Sequence, residues 1–155
     1  MWRACSVLIL FLLSTGALAQ QVCPWLTQGT AATLMGGAVS ANVHISTGEG
    51  TCEFVRTSDD DHPGAALASN LQMRIAVSHL PPKECAAGER LTGIGQDSVF
   101  CATDVEGKHQ EMIRGRVRGN YFLLTLTARG NSATDKATLR PTLEQAAEEV
   151  AGNLF

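Results

Sequence analysis

The chain has 155 residues, of which 45% are apolar and 17% are charged, and its formal net charge is −3. This composition is typical of a globular chain about one domain long, and it argues against intrinsic disorder, which needs low hydrophobicity and high charge. The small acidic surplus gives no support to nucleic-acid binding, because neutralising phosphates needs an excess of Lys and Arg.

Residues 1–19 have the pattern of a secretory signal peptide. Arg3 supplies a positive charge, an apolar run follows, and an A-x-A pattern ends at Ala19. The apolar run is too short to cross a bilayer, which takes about 20 residues. We therefore predict cleavage after Ala19 and a secreted or periplasmic single domain over residues 20–155, without a transmembrane segment.

Four cysteines remain after this cleavage, and an even number in an oxidising compartment predicts two disulfide bonds. Three pairings are possible, and we favour Cys23–Cys52 with Cys85–Cys101 because pairing nearest neighbours closes the shortest loops. The wide spacing disfavours a zinc site, which usually brings cysteines in close pairs. Gln-Gln-Val precedes Cys23 and matches a lipoprotein processing site poorly, so a lipid anchor is disfavoured.

The first predicted element is a short helix over residues 28–35, which Thr27 can cap and Gly36-Gly37 can end. Alternating apolar and polar residues then predict a series of strands. These strands cover residues 39–46, 51–57, 71–78, 98–103, 110–118 and 121–129. Gly119-Asn120 is the predicted turn between the last two strands.

A polar connection over residues 130–137 is expected to lead into a second helix that begins at Pro141, where a missing N–H costs nothing. An apolar stripe follows it, formed by Leu143, Ala147, Val150, Ala151 and Leu154. The sum is an α+β fold with a short N-terminal helix, an antiparallel sheet of five or six strands, and a C-terminal amphipathic helix on one face. Residues 121–129 are the most apolar strand and are placed centrally.

Six short sequence features follow one another along the chain. They are C-P-W-L-T at 23–27, L-M-G-G at 34–37, T-C-E-F at 51–54, G-I-G-Q-D at 93–97, R-G-N-Y-F at 118–122, and an Ala/Glu-rich final helix. Their order resembles a family of small exported bacterial proteins and lipoproteins of unknown function with a PsbP-like sandwich fold. The resemblance spans most of residues 23–155 and implies the fold and the Cys23–Cys52 bridge. It implies no catalytic residue, and this chain departs from the family in lacking a convincing lipid-attachment site.

Motifs for catalysis or cofactor binding are missing from the sequence. Gly93-Ile94-Gly95 lacks the third glycine of a dinucleotide-binding loop, and no G-x-S-x-G nucleophile elbow occurs. The four histidines, His44, His62, His79 and His109, are not spaced as a ligand pair. The segment Asp59–His62 concentrates oxygen ligands but lacks the spacing of a calcium loop, so we interpret it as a polar turn and predict no metal and no cofactor.

These observations favour a non-enzymatic secreted or periplasmic domain that binds or assists an envelope or extracellular partner. Arg114, Arg116 and Arg118 alternate in sequence and are therefore predicted to share one strand face, which could bind an anionic partner or simply be solvated. The alternative is a small hydrolase or metal-dependent enzyme with a site assembled from distant residues, such as Asp59, His62 and His109.

Overall fold

The structure, a computed structural model, describes residues 21–57, 71–85, 87–105, 107–129 and 133–155. Two helices and seven strands occur in these residues, and all seven strands form one antiparallel sheet. The predicted signal peptide and the segment Asp59–His62 lie outside the described residues.

The helices are α1 (Gln28–Leu34) and α2 (Ala133–Asn153). The strands are β1 (Val39–Ser46), β2 (Glu49–Arg56), β3 (Leu71–Ser78), β4 (Glu89–Arg90), β5 (Gln96–Val105), β6 (Lys108–Val117) and β7 (Asn120–Arg129). The predicted α+β class is confirmed. The sheet has one strand more than the expected five or six, because β4 is only two residues long and too short to show a sequence period.

The sheet consists of two meanders that meet in the middle. Its strand order is β1-β2-β3-β7-β6-β5-β4, so the chain crosses from β3 to the far edge and returns strand by strand to pair β7 with β3. The apolar β7 is therefore central, as its composition predicts. β1 and β4 are the two edges.

One face of the sheet, the inner face, carries the core. Ile113, Leu124, Ile75 and Cys52 lie side by side across four strands, and all four are fully buried. Both helices pack on this face. Burial of each large aliphatic side chain stabilises the fold by roughly 1.5–3 kcal/mol, so this layer is the main source of stability. Residues on the opposite, outer face are mostly polar and partly exposed.

α1 begins and ends as its sequence predicts. The Thr27 hydroxyl oxygen accepts a hydrogen bond from the backbone N–H of Thr30 at 3.1 Å, which satisfies one of the unpaired N–H groups of the first turn. Gly36 follows the helix with φ of 70°, a conformation that costs glycine little. The helix is thereby held over β1 and β2.

Two local predictions are wrong. α2 begins at Ala133 rather than at Pro141, which lies inside the helix. Because Leu139, two residues earlier, is buried in the core, packing holds the helix together across the missing Pro141 N–H. The turn between β6 and β7 is Arg118-Gly119, with φ of 48° and 89°, instead of Gly119-Asn120.

Candidate functional site

The structure brings the four predicted cysteines together as two pairs. The Cα atoms of Cys23 and Cys52 are 5.8 Å apart, and those of Cys85 and Cys101 are 6.3 Å apart, which is consistent with two disulfide bonds. The first pair is buried in the core beside α1. The second pair attaches the connection between β3 and β4 to the outer face of β5.

The predicted arginine stripe holds two residues instead of three. Arg114 and Arg116 extend from the outer face of β6, but β6 ends at Val117 and Arg118 lies in the turn. The guanidinium of Arg118 lies over the ring of Phe155, 5.4 Å from its centroid, and donates to the Phe155 carbonyl. The positive φ of Arg118 breaks the strand alternation, and this is why the stripe is shorter than its sequence predicts.

Both arginines that remain on the face lie near carboxylates. Arg116 Nη2 is 3.3 Å from Asp97 Oδ2, and Arg114 Nη2 is 3.9 Å from Glu84 Oε1. The two carboxylates are largely exposed, and exposed ion pairs typically contribute about 0–1 kcal/mol. An anionic ligand could displace such weak pairs.

His109 belongs to a cluster of charged side chains on the inner face, at the hairpin of β5 and β6. Its Nδ1 is 2.8 Å from Asp104 Oδ1, and its Nε2 is 3.1 Å from Glu111 Oε1. His109 and Glu111 are buried. Each of these contacts is a hydrogen bond between an imidazole nitrogen and a carboxyl oxygen.

Both ring nitrogens of His109 lie within hydrogen-bonding distance of a carboxyl oxygen. Among the described residues, no group of His, Cys, Asp and Glu converges as a metal site. Asp59 and His62, the other members of the predicted enzymatic site, lie outside the described residues.

β1 is one edge of the sheet, so half of its backbone groups face away from its neighbour β2. The Thr57 N–H donates to the Ala38 carbonyl at 2.9 Å, so Ala38 faces β2. In an antiparallel ladder successive residues face alternate sides. The N–H and C=O groups of Ala41, Val43 and Ile45 therefore point away from β2, where the described part of the chain places no further strand.

Gln28 shows which part of this edge is occupied. Its Nε2 donates to the Val39 carbonyl at 2.7 Å, so α1 satisfies the first outward-facing acceptor of β1. The next three outward-facing residues follow in Ser40–Ser46, a segment without charge, proline or bulge. Natural proteins usually protect an edge with such devices, and β1 lacks them.

Apolar surface borders the same edge. Ala41, Val43 and Ile45 are only partly buried on the inner face. A recess of about 100 Å³ beside them is lined by Val22, Cys23, Gln28 and Phe54 among others. Val22 is 75% exposed. A strand added next to β1 would cover this apolar surface and satisfy the outward-facing backbone groups at once.

Comparison with known proteins gives no match among family models, curated proteins or solved structures. The resemblance to PsbP-like exported proteins therefore stays a prediction. Neither described helix combines the length and apolar composition that a membrane crossing needs.

The sequence analysis predicts neither the carboxyl groups around His109 nor the position of β1 at the edge of the sheet. Asp104 and Glu111 were not assigned to the surroundings of His109, although the H-x-E spacing of His109 and Glu111 already places both on one strand face. The strand at 39–46 was predicted, but its position at the edge of the sheet was not. The absence of charge in that strand was the available signal.

Proposed function

We propose that this protein is an exported, non-enzymatic binding module that docks a partner protein by strand addition to β1. The observation that carries this proposal is the row of outward-facing backbone groups at Ala41, Val43 and Ile45, bordered by partly buried apolar side chains. Main-chain hydrogen bonds would supply affinity, and the apolar recess beside Val43 would select the partner's side chains. Export is supported by the signal-peptide pattern and by the two cysteine pairs.

Photo-crosslinking tests this function in the producing cell. A photoreactive residue replaces Ser46, which is exposed at the end of β1, and a matched residue replaces Gln145, which is exposed on α2. We expect a discrete adduct from position 46 that maps to one extended segment of the bound protein, and none from position 145.

The double substitution Asn42→Lys/His44→Lys makes this experiment specific. Both side chains are exposed on the outer face of β1, so two lysines there should leave the fold intact while opposing an added strand. Glu148→Lys changes the net charge equally on exposed α2 surface and is the control. An adduct that survives the β1 substitution, or none at all, would contradict the function.

A further inference from the structure

We propose that the strand that pairs with β1 is β1 of a second copy of this chain, so that two sheets join into one continuous sheet. This inference rests on the proposed function and names its partner. Three independent features of β1 lead to it: the phase of its hydrogen-bonding groups, the pattern of its side chains, and the position of α1.

The alternation of backbone groups along β1, which face β2 or the outside in turn, determines which residues of the two copies lie opposite each other. The Val39 carbonyl is already taken by Gln28, so pairing is left to Ser40–Ser46, whose midpoint is Val43. A two-fold axis through Val43 places it opposite Val43 of the second copy and Ala41 opposite Ile45. All of these residues point their N–H and C=O groups outward, so each opposed pair exchanges two hydrogen bonds.

The side chains of β1 are complementary to themselves in this register. On the inner face apolar residues meet apolar residues, with Val43 against Val43 and Ala41 against Ile45. On the outer face Asn42 meets His44, and Ser40 meets Ser46. No full charges of like sign are opposed, because β1 carries no Lys, Arg, Asp or Glu. A two-fold interface requires this self-complementarity, and a strand addressed to a different partner does not.

α1 contacts one end of the β1 edge and leaves the rest of the strand for pairing. α1 lies toward the Val39 end of β1, where Gln28 reaches the strand. In the two-fold pair the Val39 ends lie at opposite corners, so the two α1 helices do not oppose each other. Ile45, which is only partly buried in one copy, then lies opposite Ala41 of the second copy and beside its apolar recess.

The experiment measures self-association of the protein purified after export. Sedimentation equilibrium from about 1 μM to about 1 mM gives the dimerisation Kd for the natural chain, Asn42→Lys/His44→Lys, Asn42→Glu/His44→Glu, and the control Glu148→Lys. We expect a dimer whose Kd rises at least about tenfold in each β1 variant, because like charges face each other across the pair. Mixing the Lys and Glu variants should restore dimerisation, and Glu148→Lys should leave it unchanged.

Amide exchange provides a readout at single residues. Ala41, Val43 and Ile45 should gain protection as the protein concentration rises, while the amides of Asn42 and His44, which face β2, are protected at every concentration. A monomer throughout this range, or a Kd that the Lys variant leaves unchanged, would overturn the second-copy assignment. If the chain is monomeric but the crosslink at position 46 captures another protein, the binding function stands and only its partner is different. If neither dimer nor adduct forms, both proposals are wrong.

Discussion

β1 and β4 are the two edges of one sheet, and they differ in length, charge and attachment. β1 has eight residues and no formal charge, whereas β4 has two residues, Glu89 and Arg90, both charged and both exposed. A short charged strand is a common protection against pairing with another chain, and a long uncharged one invites it. Within the described residues, one edge of the sheet therefore carries this protection and the other does not.

Arg140 attaches the protected edge to α2. Its Nη1 and Nη2 donate to the two carboxylate oxygens of Glu89 at 2.9 and 2.8 Å, and its Nε donates to Glu144 at 2.8 Å. The guanidinium also lies 4.5 Å from the ring centroid of Phe100 on β5. At β1 the corresponding contact among the described residues is the hydrogen bond from Gln28 to the Val39 carbonyl.

The largest expected change in stability concerns the two cysteine pairs, because one pair contacts β2 and the other contacts β5, on opposite sides of the sheet. Cys23–Cys52 joins the α1 region to β2 and is buried, so its replacement by alanines should lower the free energy of unfolding by about 2–4 kcal/mol. Cys85–Cys101 holds an irregular segment near β4, so its replacement should mainly loosen that segment. Urea unfolding of the two double-alanine variants measures the difference.

Equal losses of stability in both variants would contradict this division. The pairing itself is tested by peptide mapping without reduction. A peptide that links Cys23 to Cys85 or to Cys101 would exclude it.

The pH response of β4 should give a smaller effect. The hydrogen bonds from Arg140 lower the pKa of Glu89 below its ordinary value. A lowered folded-state pKa means that this attachment is complete above the ordinary pKa of Glu and is lost as the pH falls through the lowered pKa. An NMR titration of the Glu89 carboxyl should show the shift.

Arg140→Gln should return the pKa of Glu89 toward its ordinary value and speed amide exchange in β4. Arg90→Gln is the matched control. It also removes one positive charge, from β4 instead of α2, but it keeps the Arg140 guanidinium that donates to Glu89. An unchanged titration of Glu89 in Arg140→Gln would show that Arg140 does not hold this edge.

The smallest effect is expected on the outer face between the edges. Arg114→Gln/Arg116→Gln should elute from an immobilised polyanion such as heparin at lower salt than the natural chain, because two outward-facing charges are lost. Arg118→Gln should change elution less, since Arg118 is engaged with Phe155. A shift for Arg118→Gln that is about half of the shift for the double variant would favour a general charge effect over a binding face, because the double variant loses two charges and Arg118→Gln loses one.

The sequence predicts the strand β1 but does not predict that this strand lies at the edge of the sheet. Alternation of Val39, Ala41, Val43 and Ile45 with polar residues predicts a strand with one apolar face. Whether that strand lies inside the sheet or at its edge depends on which strands pair, and this is decided by contacts between distant residues. The pairing of β7 with β3 directs the second meander to the other side of β3 and leaves β1 at the edge.

The local pattern of the sequence determined the parts of this protein that depend on neighbouring residues. These parts are the Thr27 cap, the long strands and the apolar β7, because capping and side-chain period act over a few residues. Only the tertiary structure decided the features that depend on packing. Leu139, buried in the core, holds α2 together through Pro141, and the positive φ of Arg118 removes it from the strand face. The phase of hydrogen bonding along β1, with alternate residues facing β2 or the outside, was set in the same way by pairing with β2.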